Sequence, residues 1–228
     1  MFDKLKKALL GHDKPAAAAS AASGASAFAP VSEWAAAQGF SFASQGERSF
    51  SIQGKVAGRP WRMELGRPSR NYIQGEELRA RAELGVDENV AVMVMSRSLK
   101  DALEKQAYDR YTDTLQTSVD HNLPEEVRWL AMFEEFGWDS PSRMFWARYA
   151  VLGAQREDAV AWVDAVLANQ LLTWPNAAPE VPLVLMVLRG KAYLRMQQTP
   201  GDMQALQHAA QVFTAACESA LAAFKRPG

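Results

Sequence analysis

The amino-acid sequence predicts an α+β protein: a small antiparallel β-sheet of about four strands, then a helical half of about five or six helices. Two observations carry that prediction. From about Val31 to Arg97, apolar and polar residues alternate in short runs separated by glycine-bearing turns, the period-two pattern of half-buried strands. From Ser98 to Arg226 the apolar spacing becomes three and four residues, the period of helices that bury one face. A chain of 228 residues can enclose one good core or two small ones.

Residues 1–14 read as an amphipathic N-terminal peptide. Phe2, Leu5 and Leu9 share one helical face with Leu10 at its edge, while Lys4, Lys6 and Lys7 lie largely opposite. Residues 15–30, PAAAASAASGASAFAP, hold little besides Ala and Ser between two prolines. Their few large apolar groups do not offset the entropy of ordering, so the segment is predicted to be a disordered linker. Lysines before an alanine-rich run imitate a secretory signal, but the apolar block Ala8-Leu9-Leu10 stops at Gly11-His12-Asp13-Lys14. A cleaved signal peptide is not expected.

Residues 31–97 form the sheet region. A short helix around Trp34 ends at Gly39, and strands follow at RSFSIQGKV, PWRMEL, EELRARAEL and VAVMVMS. The Ala57-Gly58-Arg59 connection makes a hairpin of the first two. In the third, Leu78, Ala80, Ala82 and Leu84 share one face and Glu77, Arg79, Arg81 and Glu83 the other, as in an antiparallel strand solvated on one side. The fourth is almost wholly apolar, which places it centrally or under cover on both faces.

Residues 98–228 form the helical region. Ser98 and Asp101 resemble a capping box for a helix carrying Leu99, Leu103, Tyr111 and Leu115. The next helix opens at Pro124-Glu125-Glu126, carries Trp129, Met132, Phe133 and Phe136, and stops at Gly137. A third runs from Ser140-Pro141 to Gly153, a fourth spans 157–172, and a fifth follows the break TWPNAAPEVP and runs through Leu194. After the turn QTPGD, the last helix has its seam at Met203, Leu206, Ala210, Phe213, Cys217, Ala220 and Phe224. Gly190-x-x-Tyr193 and Ala209-x-x-x-Phe213 match part of a tetratricopeptide-type template. Met186 and Arg189 stand where that template asks for Trp and Leu, and the halves lie too far apart, so no repeat is assigned. The apolar fourth strand needs a cover that this half can supply, which lets both regions share one core.

The chemistry is sparse. Lys+Arg 25 against Asp+Glu 26 gives no basic field, so nucleic acid is not an expected partner. A single cysteine excludes an intrachain disulfide framework and suits a reducing, cytoplasmic setting. No apolar run approaches the roughly 18–20 residues of a membrane span. The sequence contains no phosphate loop, G-x-S-x-G, H-E-x-x-H or C-x-x-C; no cofactor, metal site or catalytic residue is expected. Cys217 lies on an apolar seam and reads as a small core residue. Asp109, Asp113, Asp120, His121, Glu125 and Glu126 could be drawn together as a metal or acid–base site, but they read better as a solvated helix face, a loop and acids favouring the next helix start.

The stretch GRPWRMELGRPSR, residues 58–70, is the densest cationic run. Trp61, Met63 and Leu65 fall on the core face of a strand, with Arg62 and Glu64 on the other. Cross-strand pairing accounts for Arg62 and the nearby glutamates. Lys55, Arg59, Arg67 and Arg70 are left without obvious local partners and form the candidate anion- or partner-binding surface. The function expected is that of a non-catalytic interaction or adaptor protein with a protein partner and a flexibly tethered N-terminal peptide. The alternatives are a small anionic-ligand-binding domain using residues 58–70 and, after that, an enzyme of unrecognised type.

The peptide of residues 2–10 is shorter than the roughly 12–15 residues that make an isolated helix even marginal in water, so it should become helical only against a surface. Two surfaces fit, the anionic inner membrane face through weak peripheral contact or an apolar groove on a partner, and the alternative is a solvated tail. In liposome flotation with anionic vesicles, the full chain should float at low salt and release as salt rises, while a chain starting at Val31 stays in solution. Equal behaviour of the two would remove the membrane contact.

Overall fold

Period-two alternation runs much further along the chain than residue 97. In a computed structural model of the protein, which describes residues 27–113, 125–175 and 181–225, nine strands join in one sheet of order β1-β2-β3-β4-β9-β8-β5-β7-β6. Every neighbouring pair is antiparallel. The elements are α1 (Ala29–Ala37), β1 (Ser41–Ser44), β2 (Phe50–Val56), β3 (Arg59–Gly66), β4 (Glu76–Glu83), β5 (Ala91–Ser96), α2 (Arg97–Asp113), α3 (Glu125–Met132), β6 (Glu134–Phe136), α4 (Arg143–Arg148), β7 (Tyr149–Gly153), α5 (Arg156–Trp162), α6 (Ala165–Leu172), β8 (Leu183–Leu188), β9 (Lys191–Gln198) and α7 (Met203–Ala223).

The small sheet of about four strands followed by helices is therefore corrected: the second half interleaves its helices with β6, β7, β8 and β9. Each missed strand has a physical reason. β7 is buried at every position and shows no alternation, so it reads as the continuation of the helix before it. β8 is a short apolar run, which periodicity alone does not separate from a buried helix. β9 does alternate, with Ala192, Leu194, Met196 and Gln198 buried between less buried neighbours. Taking Gly190 for a helical position concealed that pattern. β6 is three residues long and begins where α3 frays out after Met132. The helix expected over 157–172 breaks after Trp162, and Asp164 caps α6 by accepting from the Leu167 backbone N–H at 2.8 Å.

Two hairpins share one turn chemistry. Ala57 and Gly58 join β2 to β3 with φ of 47° and 78°, and Arg189 and Gly190 join β8 to β9 with φ of 51° and 72°. Positive φ at both central residues is the turn whose twist matches that of the flanking strands.

One face of the sheet packs against α1 and α4–α7. Trp61, Met63, Leu78, Val94, Val151, Leu185 and Leu194 meet Phe145, Trp162, Leu167 and Phe213 in a single core that draws on both halves of the chain. The long final helix follows the seam read from sequence, burying Leu206, Ala210, Phe213, Cys217 and Ala220. The indole N–H of Trp162 donates to the Ala216 carbonyl at 3.0 Å, and the Ser219 hydroxyl donates to the Trp162 carbonyl at 2.5 Å, which ties α5 to α7. Gly54 lies opposite Trp61 in the β2–β3 register. A Cβ at Gly54 would come within 2.6 Å of the Trp61 indole, whose ring meets Phe40 edge-on at 4.9 Å.

That geometry sets two opposite responses in urea denaturation. Gly54→Val should destabilise by about 1–3 kcal/mol through overpacking against Trp61. Ala57→Gly should stabilise by about 0.4–1 kcal/mol, because it relieves a left-handed alanine.

Candidate functional site

The second face of the sheet is divided. On β5, β7 and β8 it carries Met93, Met95, Ala150, Leu152 and Val184, which pack under Leu99 and Leu103 of α2 and Val127 and Trp129 of α3. On β3, β4 and β9 the same face carries Arg62, Glu64, Arg79, Arg81, Glu83, Tyr193 and Arg195. Helices cover the apolar portion because only that portion gains by leaving water. The charged portion stays open as a groove of about 640 Å³ lined by Arg62, Arg79, Arg81, Tyr193, Arg195 and Met186, among others.

The register sets arginine directly opposite arginine twice: Arg62 faces Arg81 across β3–β4, and Arg79 faces Arg195 across β4–β9. Like charges so placed repel at side-chain distances of roughly 5 Å. Carboxylates interleave to offset this. Glu64 lies 2.5 Å from Arg62 and 3.7 Å from Arg79, Glu83 pairs with Arg81 and, at 3.3 Å, with Lys191, and Glu77 pairs with Arg195. Slight burial works against the charge of Glu83, but hydrogen bonds from Arg81 and Lys191 outweigh it and hold this carboxyl below the ordinary range. The Arg79 Nε is buried without an acceptor. A guanidinium offers five N–H donors, so one carboxylate per arginine leaves donors available for an anionic partner.

At the rim, a buried network locks the covering helices to the sheet. Glu126, in the first turn of α3, is 1% exposed and Glu77 is fully buried. Arg70 Nε donates to both Glu126 oxygens at 2.9 Å, and the Tyr72 hydroxyl donates to Glu126 at 2.8 Å. Arg195 Nε stands 3.7 Å from the same carboxylate, and the Ser69 backbone N–H donates to Glu77 at 2.5 Å. Burial disfavours the charge on Arg70, but Glu126, Tyr72 and Glu125 overturn it and raise its pKa above the ordinary arginine value. Burial first, then the Glu126 charge and the hydrogen bond to it, push the Tyr72 phenol above its ordinary range.

The residues of the expected site fall in different settings. Arg70, with no partner nearby in sequence, is held by Glu126 and by Glu125 at 3.3 Å, so it belongs to the lock. Glu126, read as an acid favouring a helix start, does sit in the first turn of α3, and it is buried there. Lys55, Arg59 and Arg67 are exposed; Lys55 pairs opposite Pro60 at the hairpin end, and Arg59 lies beside Gly85. The groove is built instead from Arg62, Arg79, Arg81 and Arg195. The first three were legible as one polar face. Arg195 was hidden because β9 read as helix. The peptide residues Phe2, Lys4, Leu5, Lys6, Lys7, Leu9 and Leu10 lie outside the described residues, as do Asp120, His121 and the side chain of Asp113. Cys217 is fully buried, and burial, with Glu218 nearby, pushes its thiol up to about 12. Among the described residues, no cluster of three or more His, Cys, Asp or Glu could hold a metal ion, and no helix is long and apolar enough to cross a membrane.

No protein-family model and no curated protein matches the chain. Among solved structures, the crystal structure of the mycobacterial trehalose monomycolate transport factor A, TtfA, aligns over 86% of this chain and 94% of its own, at 12% identity and a TM-score of 0.46. That degree of likeness assigns neither a family nor a function.

The lock yields a sharp contrast. Glu126→Ala leaves half-buried Arg70 and Tyr72 donors without their main acceptor and should cost about 1–3 kcal/mol in urea denaturation. Glu125→Ala, which removes a half-exposed pair, should cost no more than about 1 kcal/mol.

Proposed function

We propose that the chain is a non-catalytic interaction protein that docks an acidic protein segment on the uncovered half of the second sheet face. The supporting observation is the pair of directly opposed arginines, Arg62 with Arg81 and Arg79 with Arg195. The chain as a whole is nearly neutral, yet on this patch Arg62, Arg79, Arg81, Lys191 and Arg195 outnumber Glu64, Glu77 and Glu83. Repulsion among guanidiniums on one rigid sheet is relieved when further carboxylates approach. The three strands that carry them span roughly 10 Å, wider than one carboxylate or phosphate and suited to several acidic side chains. Met186 and Tyr193 give the groove an apolar border, which favours a polypeptide over a free polyanion. In this proposal the protein is cytoplasmic, and residues 2–10 supply a second, weaker attachment at the anionic inner membrane surface.

A small anionic ligand in the same groove is the second reading, supported by the buried Arg79 Nε that lacks an acceptor. The test is a titration of a labelled oligoglutamate peptide onto the full chain and onto the triple variant Arg62→Ser, Arg79→Ser, Arg81→Ser. The wild-type chain should bind with an affinity that falls steeply with salt. The variant should lose at least about tenfold in affinity while its melting temperature shifts little, since exposed substitutions such as those at Arg62 and Arg81 usually change stability by no more than about 0.5 kcal/mol each and loss of the partly exposed Arg79–Glu64 pair by about 0–1 kcal/mol. Unchanged binding by the variant removes the docking proposal. Saturable binding of inorganic phosphate that displaces the peptide supports the small-ligand reading.

A further inference from the structure

Away from the groove, a partly open cavity of about 110 Å³ lies where the ends of β5, β7, β8 and β9 meet the start of α7. Leu183 and Met196 form its apolar wall, and Arg148, Tyr149, Trp174, Gln198 and Asp202 bring polar groups to it, the Asp202 Oδ1 being engaged by the Ala205 backbone N–H at 3.0 Å. Tyr149 is fixed by donating its hydroxyl to the Leu171 carbonyl at 2.7 Å, and the Trp174 ring packs edge-on against His208 at 4.6 Å.

Three groups on this wall have unused capacity, among them the Trp174 indole Nε1, which is buried and has no acceptor among the described residues. Gln198 is 4% exposed. Its Nε2 donates to the carbonyls of Asp202 at 2.9 Å and Thr199 at 3.3 Å. Both partners only accept, so the amide orientation is fixed and Oε1 is the atom left over; it is buried and has no donor. Arg148 donates from Nη1 to the Leu172 carbonyl at 3.3 Å and forms no salt bridge with any carboxylate among the described residues. A cationic fork and an unmet buried acceptor therefore line one small cavity with an apolar wall.

From this we infer that the cavity binds a small carboxylic acid that also carries a hydroxyl or amino group. The carboxylate pairs with the Arg148 guanidinium, the hydroxyl or ammonium donates to Gln198 Oε1, and the short carbon chain lies against Leu183 and Met196. The volume suits this size: a cavity of about 150 Å³ accommodates benzene, so this one fits an acid of about three or four carbons. The inference does not depend on the arginine groove, whose residues are separate.

Calorimetric titration of the full chain with lactate, alanine, propionate and lactamide tests it. Lactate or alanine should bind saturably. Propionate, which lacks the donor, and lactamide, which lacks the charge, should each bind at least about tenfold more weakly, because a site with a buried polar group rejects the analogue that leaves it unpaired. Arg148→Gln should abolish binding of lactate and alanine. The comparison among ligands on the unaltered chain stands even if that variant folds poorly. Equal binding of lactate and propionate, or no saturable binding of lactate or alanine up to about 10 mM, a weak limit for so few atoms, would overturn the inference.

Discussion

The register between β9 and β8 decides how the second face of the sheet is divided. Cross-strand rows are continuous through the sheet: one runs Glu64, Arg79, Arg195, Val184, Met95, Ala150, and the next Arg62, Arg81, Tyr193, Met186, Met93, Leu152. Both change from polar to apolar at the same seam. A slip of one residue in β9 would send its charged positions into the core and its apolar positions to water, so the buried Ala192, Leu194 and Met196 hold the seam in place. The position of α2 and α3, and the opening beside them, follow from it.

The seam is also where buried charge is concentrated. Glu77 lies under the loop that follows β3, and Glu126 under Arg70, Tyr72 and Arg195. Buried ion pairs add little net stability compared with well-packed apolar residues, but losing one partner is costly. Such a network therefore fixes geometry more than it deepens the energy minimum. Here it fixes the first turn of α3 against the loop between β3 and β4, setting one wall of the groove relative to its floor. At the far edge, Glu135 on β6 accepts from Arg97 and pairs with Lys100 at 3.1 Å. Despite partial burial, those cations hold its carboxyl below the ordinary range, and α2 is tied down at its start.

The sheet edges differ in protection. β6 is three residues long and carries Glu134 and Glu135, and short, charged edges resist pairing with other chains. β1 is uncharged but only four residues long, and α1 packs beside it. The nine-stranded sheet is thus bounded by brief edges, leaving the polar face rather than the edge as the broad surface open to a partner.

The sequence by itself determined the features that rest on local periodicity: α1 around Trp34, strands β2 to β5, the hairpin at Ala57-Gly58, the seam of α7, and the opposite faces occupied by Trp61 and Arg62. These patterns are written in neighbouring residues and need no long-range partner to be recognised. Tertiary structure alone decided that β6 to β9 complete one sheet, because a strand buried on both faces, such as β7, loses the alternation that would reveal it. It also decided that Arg70 belongs with Glu126 and that Arg195 stands opposite Arg79, pairings across 56 and 116 residues that only the sheet brings together. The arginines of the groove were legible only in part for that reason, as members of a polar strand face rather than as a site. The parity of β3 and β4 exposed three of them, and the fourth awaited the strand that carries it.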